Sequence, residues 1–306
     1  MEPTSSPPLV PPEVWDLVLS NFSTLLCVTG ESRDIKKILS SFALVCRVWR
    51  ELVRQYQFEF FHCRFDIDDY SEIAVNSLGP PRTMSMIRDF LNSSPTICFT
   101  IKRLRLDLTW SKHDQLTDSV RRGYDCFNPY SDPMILAEIL RLLPRLRDLD
   151  LSNISFERCP SDMPPTPVSS GLRFLSIGQQ ERLRSSIQGT FNLLRLFTGV
   201  EQLILHDMTW AGPNSTDNEP GPITPLPMEA QFTSLWLQNM SYTPYLLSAI
   251  EMYPDSFPLR SLNLFRVELD YGRGILSLTS LLHVLGPKLE HIWLDLQVIP
   301  VRHHRH

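Results

Sequence analysis

Asp148 and Asp150 stand two residues apart in Leu146-Arg147-Asp148-Leu149-Asp150-Leu151. On a strand this spacing puts both carboxylates on one face, an arrangement suited to general acid–base work. The alternating leucines offer a plainer account, in which a half-buried strand turns its acids to solvent. Eight histidines occur, and His303, His304 and His306 crowd the last four positions with Arg305. A metal site needs ligands fixed by a fold, and a mixed Arg/His run at a chain end reads more simply as a frayed tail. The six cysteines, Cys27, Cys46, Cys63, Cys98, Cys126 and Cys159, form no Cys-x-x-Cys pair. Neither a zinc ribbon nor a disulfide framework is written in that spacing. Gly-x-Gly-x-x-Gly, Walker, Gly-x-Ser-x-Gly and His-Glu-x-x-His motifs are all missing. With 12 glycines in 306 residues, a backbone-lined phosphate cradle is not expected. The reading is a protein that is not an enzyme and uses no cofactor and no metal.

A short phrase recurs along the chain: apolar-x-x-apolar-x-apolar. It runs through Ile101-Leu104-Leu106, Leu146-Leu149-Leu151, Leu172-Leu175-Ile177, Val200-Leu203-Leu205, Phe232-Leu235-Leu237, Leu259-Leu262-Leu264 and Leu289-Ile292-Leu294. Successive middle residues are 45, 26, 28, 32, 27 and 30 positions apart. Before the phrases, residues 84–91, 133–143, 190–197, 244–252 and 276–285 space their apolar side chains at three and four, the helical period. Pro95, Pro144, Pro258 and Pro287 stand just before strands, where proline ends helices and favours extended backbone. The unit is therefore helix, proline, short strand. Stacking such units in parallel builds one core between a sheet and a row of helices. Two proline-rich stretches, 159–167 and 211–228, interrupt the repeats and are expected to be exposed loops.

Over residues 84–299 this pattern resembles the leucine-rich repeat family, whose repeats are ~20–29 residues long. The family's asparagine, three positions after the last apolar residue, is absent; Thr109, Ile154, Gln180, Met208, Met240, Val267 and Gln297 occupy those places. The loops after the strands are therefore expected to differ from an asparagine ladder. A compact α/β domain with parallel strands is the alternative.

The first sixty residues differ in kind. Val10-Pro11-Pro12-Glu13-Val14-Trp15-Asp16-Leu17 opens a helix, and one long helix is expected over about 34–56. That second stretch contains Leu44-Val45-Cys46-Arg47-Val48-Trp49. The two motifs resemble the F-box, which opens on Leu-Pro-x-Glu and later carries Leu-Val-Cys-Arg-x-Trp. The opening leucine is Val10 here, and residues 23–33 lengthen the link. The resemblance implies that a Skp-family adaptor docks on Val10, Pro11, Glu13, Val14, Leu17, Leu44, Val45, Cys46 and Trp49, and that a cullin is reached through the adaptor. Phe42, Trp49 and Leu52 suit an internal core equally well.

The architecture is thus read as an α/β solenoid: a small all-α F-box domain (10–62), then an irregular leucine-rich-repeat arc with a parallel sheet (63–299), with a disordered tail at 1–9 and another at 300–306. The resemblance implies a substrate-recognition subunit of an SCF-type cullin-RING ubiquitin ligase; the alternative is a repeat adaptor or scaffold acting without a cullin. Hydrophobic residues make up 42% of the chain, which excludes whole-chain disorder. The net charge of −5 provides no overall basic grip on nucleic acid or on an anionic membrane. The N-terminus lacks a basic, then apolar, signal-peptide pattern, and the longest uncharged run, 230–250, is too polar to span a bilayer. A cytoplasmic or nuclear protein is expected.

Residues between the apolar phrase positions belong to the opposite face of the sheet. A protein substrate is therefore expected on Arg103, Arg105, Asp148, Asp150, Ile204, Trp236, Phe265 and Trp293. The two arginines would set charge preference, and the three aromatics would stack side by side on successive strands. A register shifted by one would make the aromatics core instead.

Overall fold

The computed structural model describes residues 14, 17–19, 21, 32–45, 47–66, 84–109, 133–154, 168–178, 184–185, 190, 193–210, 232–240, 244–252, 254, 257–270 and 272–299. The expected tails, the proline-rich stretches 159–167 and 211–228, most of the 23–33 link, and Val10, Pro11, Glu13 and Cys46 lie outside them.

Eight strands form one sheet, every neighbouring pair parallel. They are β1 (Phe60–Asp66), β2 (Arg103–Thr109), β3 (Asp148–Ser152), β5 (Phe174–Gly178), β8 (Val200–His206), β10 (Phe232–Gln238), β11 (Ser261–Asp270) and β12 (His291–Ile299). Each lies beside the one before it in this series. Parallel neighbours require a crossover between strands. Helices α3 (Met84–Ser93), α5 (Pro133–Arg141), α6 (Pro244–Met252) and α7 (Arg273–Leu285) lie in four of these connections, with a short α4 (Pro95–Cys98) after α3. Two-residue strands β4 (Ser169–Ser170) with β7 (Phe197–Thr198), and β6 (Arg184–Ser185) with β9 (Thr209–Trp210), make two small ladders.

The apolar phrase accounts for the core. One register row runs Phe61, Leu104, Leu149, Leu175, Leu203, Leu235, Leu262, Ile292; the next runs Cys63, Leu106, Leu151, Ile177, Leu205, Leu237, Leu264, Leu294. From β2 to β11 these residues are buried. Ile87 and Leu91 of α3, Leu136 and Leu140 of α5, Leu246 and Ile250 of α6, and Leu281 and Leu285 of α7 join them in one cluster. Each fully buried aliphatic side chain is worth about 1.5–3 kcal/mol. The helices with these buried stripes cover one face of the sheet, and among the described residues no helix packs on the other, open face.

Three features differ from the sequence reading. The single helix expected over 34–56 is two, α1 (Ser32–Ala43) and α2 (Arg47–Glu59). The Leu44 and Val45 amides donate to the Ser41 and Phe42 carbonyls (3.2 and 3.1 Å), tight three-residue bonds that close α1. The helix expected over 190–197 instead ends in β7: Leu193, Leu194, Leu196 and Phe197 are all buried, on both sides of the half-buried Arg195, rather than in a helical stripe. The boundary placed between residues 62 and 63 falls inside β1. There Phe58-x-x-Phe61-x-Cys63 repeats the phrase with two phenylalanines and a cysteine for leucine, and all three side chains pack on the core.

The strand ends share a device. Asn153, Asp207, Asn239 and Arg266 have φ of 59°, 55°, 49° and 51°, each two residues after the last core leucine of its strand. Asparagine and aspartate tolerate this left-handed geometry better than other non-glycine residues. The turn sends the next residue, Ile154, Met208, Met240 or Val267, back into the core. The Asn153, Asp207 and Asn239 amides donate to the carbonyls of Gly178, Gln238 and Phe265 on the neighbouring strand (2.7, 2.9 and 2.9 Å). After β3, β8 and β10 the asparagine absent at one position is thus replaced by Asn153, Asp207 and Asn239 one place earlier.

Candidate functional site: two interaction surfaces

The helical unit closes a small core of its own. Leu19, Leu39 and Val53 are fully buried, with Phe42, Ala43, Trp49 and Tyr56 packed around them. The Phe42 and Trp49 rings lie 5.3 Å apart across the break between α1 and α2. Trp49, one of the expected adaptor contacts, therefore belongs largely to this internal core, because the break folds α2 back over α1. The other described candidates point to water: Val14, Leu17, Leu44 and Val45 are 46%, 65%, 81% and 66% exposed. Val18 and Ile38 are exposed as well. Burying such side chains against a partner is favourable by the same mechanism that builds a core.

The open face of the sheet is a second surface, and its register is explicit. Its middle row reads His62, Arg105, Asp150, Ser176, Ile204, Trp236, Asn263, Trp293. The row on one side carries Phe60, Arg103, Asp148, Phe174, Gln202, Ser234, Ser261 and His291. The row on the other passes through Asp107, Ser152, Gly178, His206, Gln238, Phe265 and Asp295. All eight expected substrate-facing residues share this face.

Two details of that expectation change. Arg103 and Arg105 are engaged within the sheet. Arg103 Nε lies 2.9 Å from Asp148 Oδ2, and Arg105 Nε lies 3.5 Å from Asp150 Oδ2, with Asp107 at 3.8 Å from the same guanidinium. The charged end is a set of cross-strand pairs, so the arginines do not present free positive charge. Burial raises the Asp148 carboxyl above its usual range, against the pull of Arg103, Arg173 and Arg147.

The aromatics also do not form one row. Asn263 separates Trp236 from Trp293, and Phe265 lies one row along, between Gln238 and Asp295. Strand offset decides this: each tryptophan sits between its two core residues, whereas Phe265 follows both. Trp236, Phe265 and Trp293 are 43%, 37% and 63% exposed. The Trp236 indole donates to Ser234 Oγ (3.2 Å), and the Arg266 guanidinium lies over the Phe265 ring (5.1 Å). Three large aromatics on a solvent-facing sheet form a patch of the kind that anchors partners.

Each of the paired acids faces its own arginine across the ladder. Among the described residues no group of three or more His, Cys, Asp or Glu converges to hold a metal ion. Burial pushes the Cys98 thiol up. No described helix is long and apolar enough to cross a membrane. Sequence reasoning missed His62 and Phe60 because β1 was not recognised, and it missed Asn153, Asp207 and Asn239. The visible signal for the last three was Asn or Asp two residues after a phrase.

Comparison of the chain with protein-family models, with curated proteins and with solved structures finds no match.

Proposed function

We propose that this chain is a substrate-recognition subunit of an SCF-type ubiquitin ligase, in which an F-box-like helical unit holds a Skp-family adaptor and the open sheet face holds a protein substrate. The observation that carries the reading is the division of labour in the helical unit. Leu19, Leu39, Phe42, Trp49 and Val53 close its core, while Val14, Leu17, Leu44 and Val45 are left in water on the same small element. A unit that needed only internal stability has no use for that second apolar set. The motif Leu44-Val45-Cys46-Arg47-Val48-Trp49 places its first two residues at the break and its tryptophan in the core. Strands added in sequence order, with helices on one face, support the repeat reading of the remainder.

The test is co-purification of the full chain with a Skp-family adaptor. The wild type is expected to bind at micromolar concentration, and Leu44→Asp with Val45→Asp is expected to abolish binding without lowering the melting temperature. A wild-type chain that ignores the adaptor overturns the reading and leaves a scaffold acting through its sheet alone.

A further inference from the structure

Strand β12 ends the sheet in an unfinished state. Its core-row residues Ile292 and Leu294 are 50% and 43% exposed, although their counterparts on β11, Leu262 and Leu264, are fully buried. Helix α7 packs over β11 and leaves the apolar side of β12 uncovered. On the other face Trp293 is the most exposed of the three aromatics. Among the described strands it has one neighbour in the sheet, β11. The His291 amide donates to Arg260 on the β11 side (3.0 Å), so the alternating residues Ile292 and Leu294 turn their N–H and C=O groups to the outer edge. A long apolar edge of this kind is a template for another strand.

We propose that the occupant is a second copy of this chain, paired antiparallel through β12 about a two-fold axis at Trp293. The argument is self-complementarity. Faces are preserved only if odd residues meet odd and even meet even, because side chains alternate along a strand. Centring the axis on Trp293 sets Ile292 against Leu294 of the second copy and Leu294 against its Ile292. The edge groups of these residues then exchange backbone hydrogen bonds. On the open face the same register sets His291 against Asp295 of the second copy, and Asp295 against its His291, a pair of complementary polar contacts. Centring on Asp295 would oppose two carboxylates, and centring on Leu294 would face Trp293 with Asp295. Charge complementarity therefore selects the Trp293 axis.

In that register the two Trp293 side chains form a non-hydrogen-bonded pair, the position in which cross-strand side chains approach most closely, with Cα atoms ~4.5 Å apart. Each copy then adds an indole to the other's aromatic patch, and the row reads Trp236, Asn263, Trp293, Trp293, Asn263 and Trp236 across a continuous sheet. Such an isologous contact closes on itself and does not propagate. The pairing stands apart from adaptor docking, which uses the helical unit at the far end of the sheet order.

Sedimentation equilibrium of the full chain is expected to show a dimer at micromolar concentration. Leu294→Lys is expected to give a monomer with an unchanged circular dichroism spectrum. His291→Asp alone and Asp295→His alone are each expected to weaken the dimer at least tenfold. Mixing these two variants is expected to restore it as a heterodimer, since every facing pair is then Asp with His. A wild-type monomer at that concentration overturns the proposal. A dimer that survives Leu294→Lys, or a mixture no tighter than its components, also overturns it. All these outcomes are read from mass and are independent of adaptor binding.

Discussion

The rings of Phe42 and Trp49 pack with centroids 5.3 Å apart, joining the end of α1 to the start of α2 across the turn at Leu44 and Val45. This contact separates folding from docking in the helical unit. Trp49→Ala opens a cavity beside Leu39 and Val53 and is expected to cost about 3 kcal/mol, the low end for a core tryptophan because the side chain is only half-buried. Leu44→Asp, at a position 81% exposed, is expected to change stability by about 0.5 kcal/mol or less. Urea unfolding of both variants checks the pair. A Trp49→Ala chain as stable as the wild type would remove Trp49 from the core.

The turn that creates this contact was not legible in the sequence. Residues 41–48 contain neither proline nor glycine, and their apolar spacing continues through the break, so periodicity predicts one helix. The tertiary contact of Trp49 on Phe42 wins over local propensity. The sheet was far more legible, because a strand buried on one face must alternate, and its phrase positions become the two core rows without a slip. The open-face assignment of Trp236 and Trp293 followed from that alternation alone. The pairing of Arg103 with Asp148 required the register between strands, which no single strand encodes. Strand β1 was hidden by its chemistry: Phe58, Phe61 and Cys63 fill places that leucine marks elsewhere.

The left-handed residues offer a backbone test. Asn239 has φ of 49°, and its side-chain amide donates to Asp207 Oδ1 at 2.9 Å. Asn239→Ala is expected to cost about 1–2 kcal/mol, the strain of a Cβ-bearing residue in this geometry once the compensating local polar contacts are gone. Asn239→Gly relieves the strain and is expected to recover most of that loss, although it removes the same hydrogen bond. Equal losses for the two variants in urea unfolding would show that the hydrogen bond, and not the backbone, decides.

Asp148 carries a pH dependence whose sign is set by burial. Its carboxyl is held above the usual value, with Arg103 only partly offsetting the desolvation. The folded chain thus binds this proton more tightly than the unfolded chain does. The contribution is full below the usual carboxylate value of about 3.9 and is lost as pH rises through the raised one. Relative to Asp148→Asn, the wild type is expected to lose stability as pH rises through that window and to run parallel above it. Urea unfolding across a pH series checks this. A wild type that gains on the variant with rising pH would mean that the Arg103 pair outweighs burial.

Gly178 and His206 are register partners on the open face. The imidazole lies where a Cβ on Gly178 would be, and its Nδ1 is 2.9 Å from Asp207 Oδ2. Asp207 in turn accepts from Asn239, so the ring is held by a short polar chain and cannot swing aside without breaking it. Gly178→Ala is therefore expected to cost about 1–3 kcal/mol through overpacking. His206→Ala clears the space, so the added cost of Gly178→Ala should shrink in that background. The double-mutant cycle is expected to show a coupling of about 0.5–3 kcal/mol. Strict additivity would mean that the ring moves freely and that the glycine is not required by His206. Because Gly178 carries no positive φ, backbone strain does not compete as an explanation, and the cycle isolates the side-chain overlap.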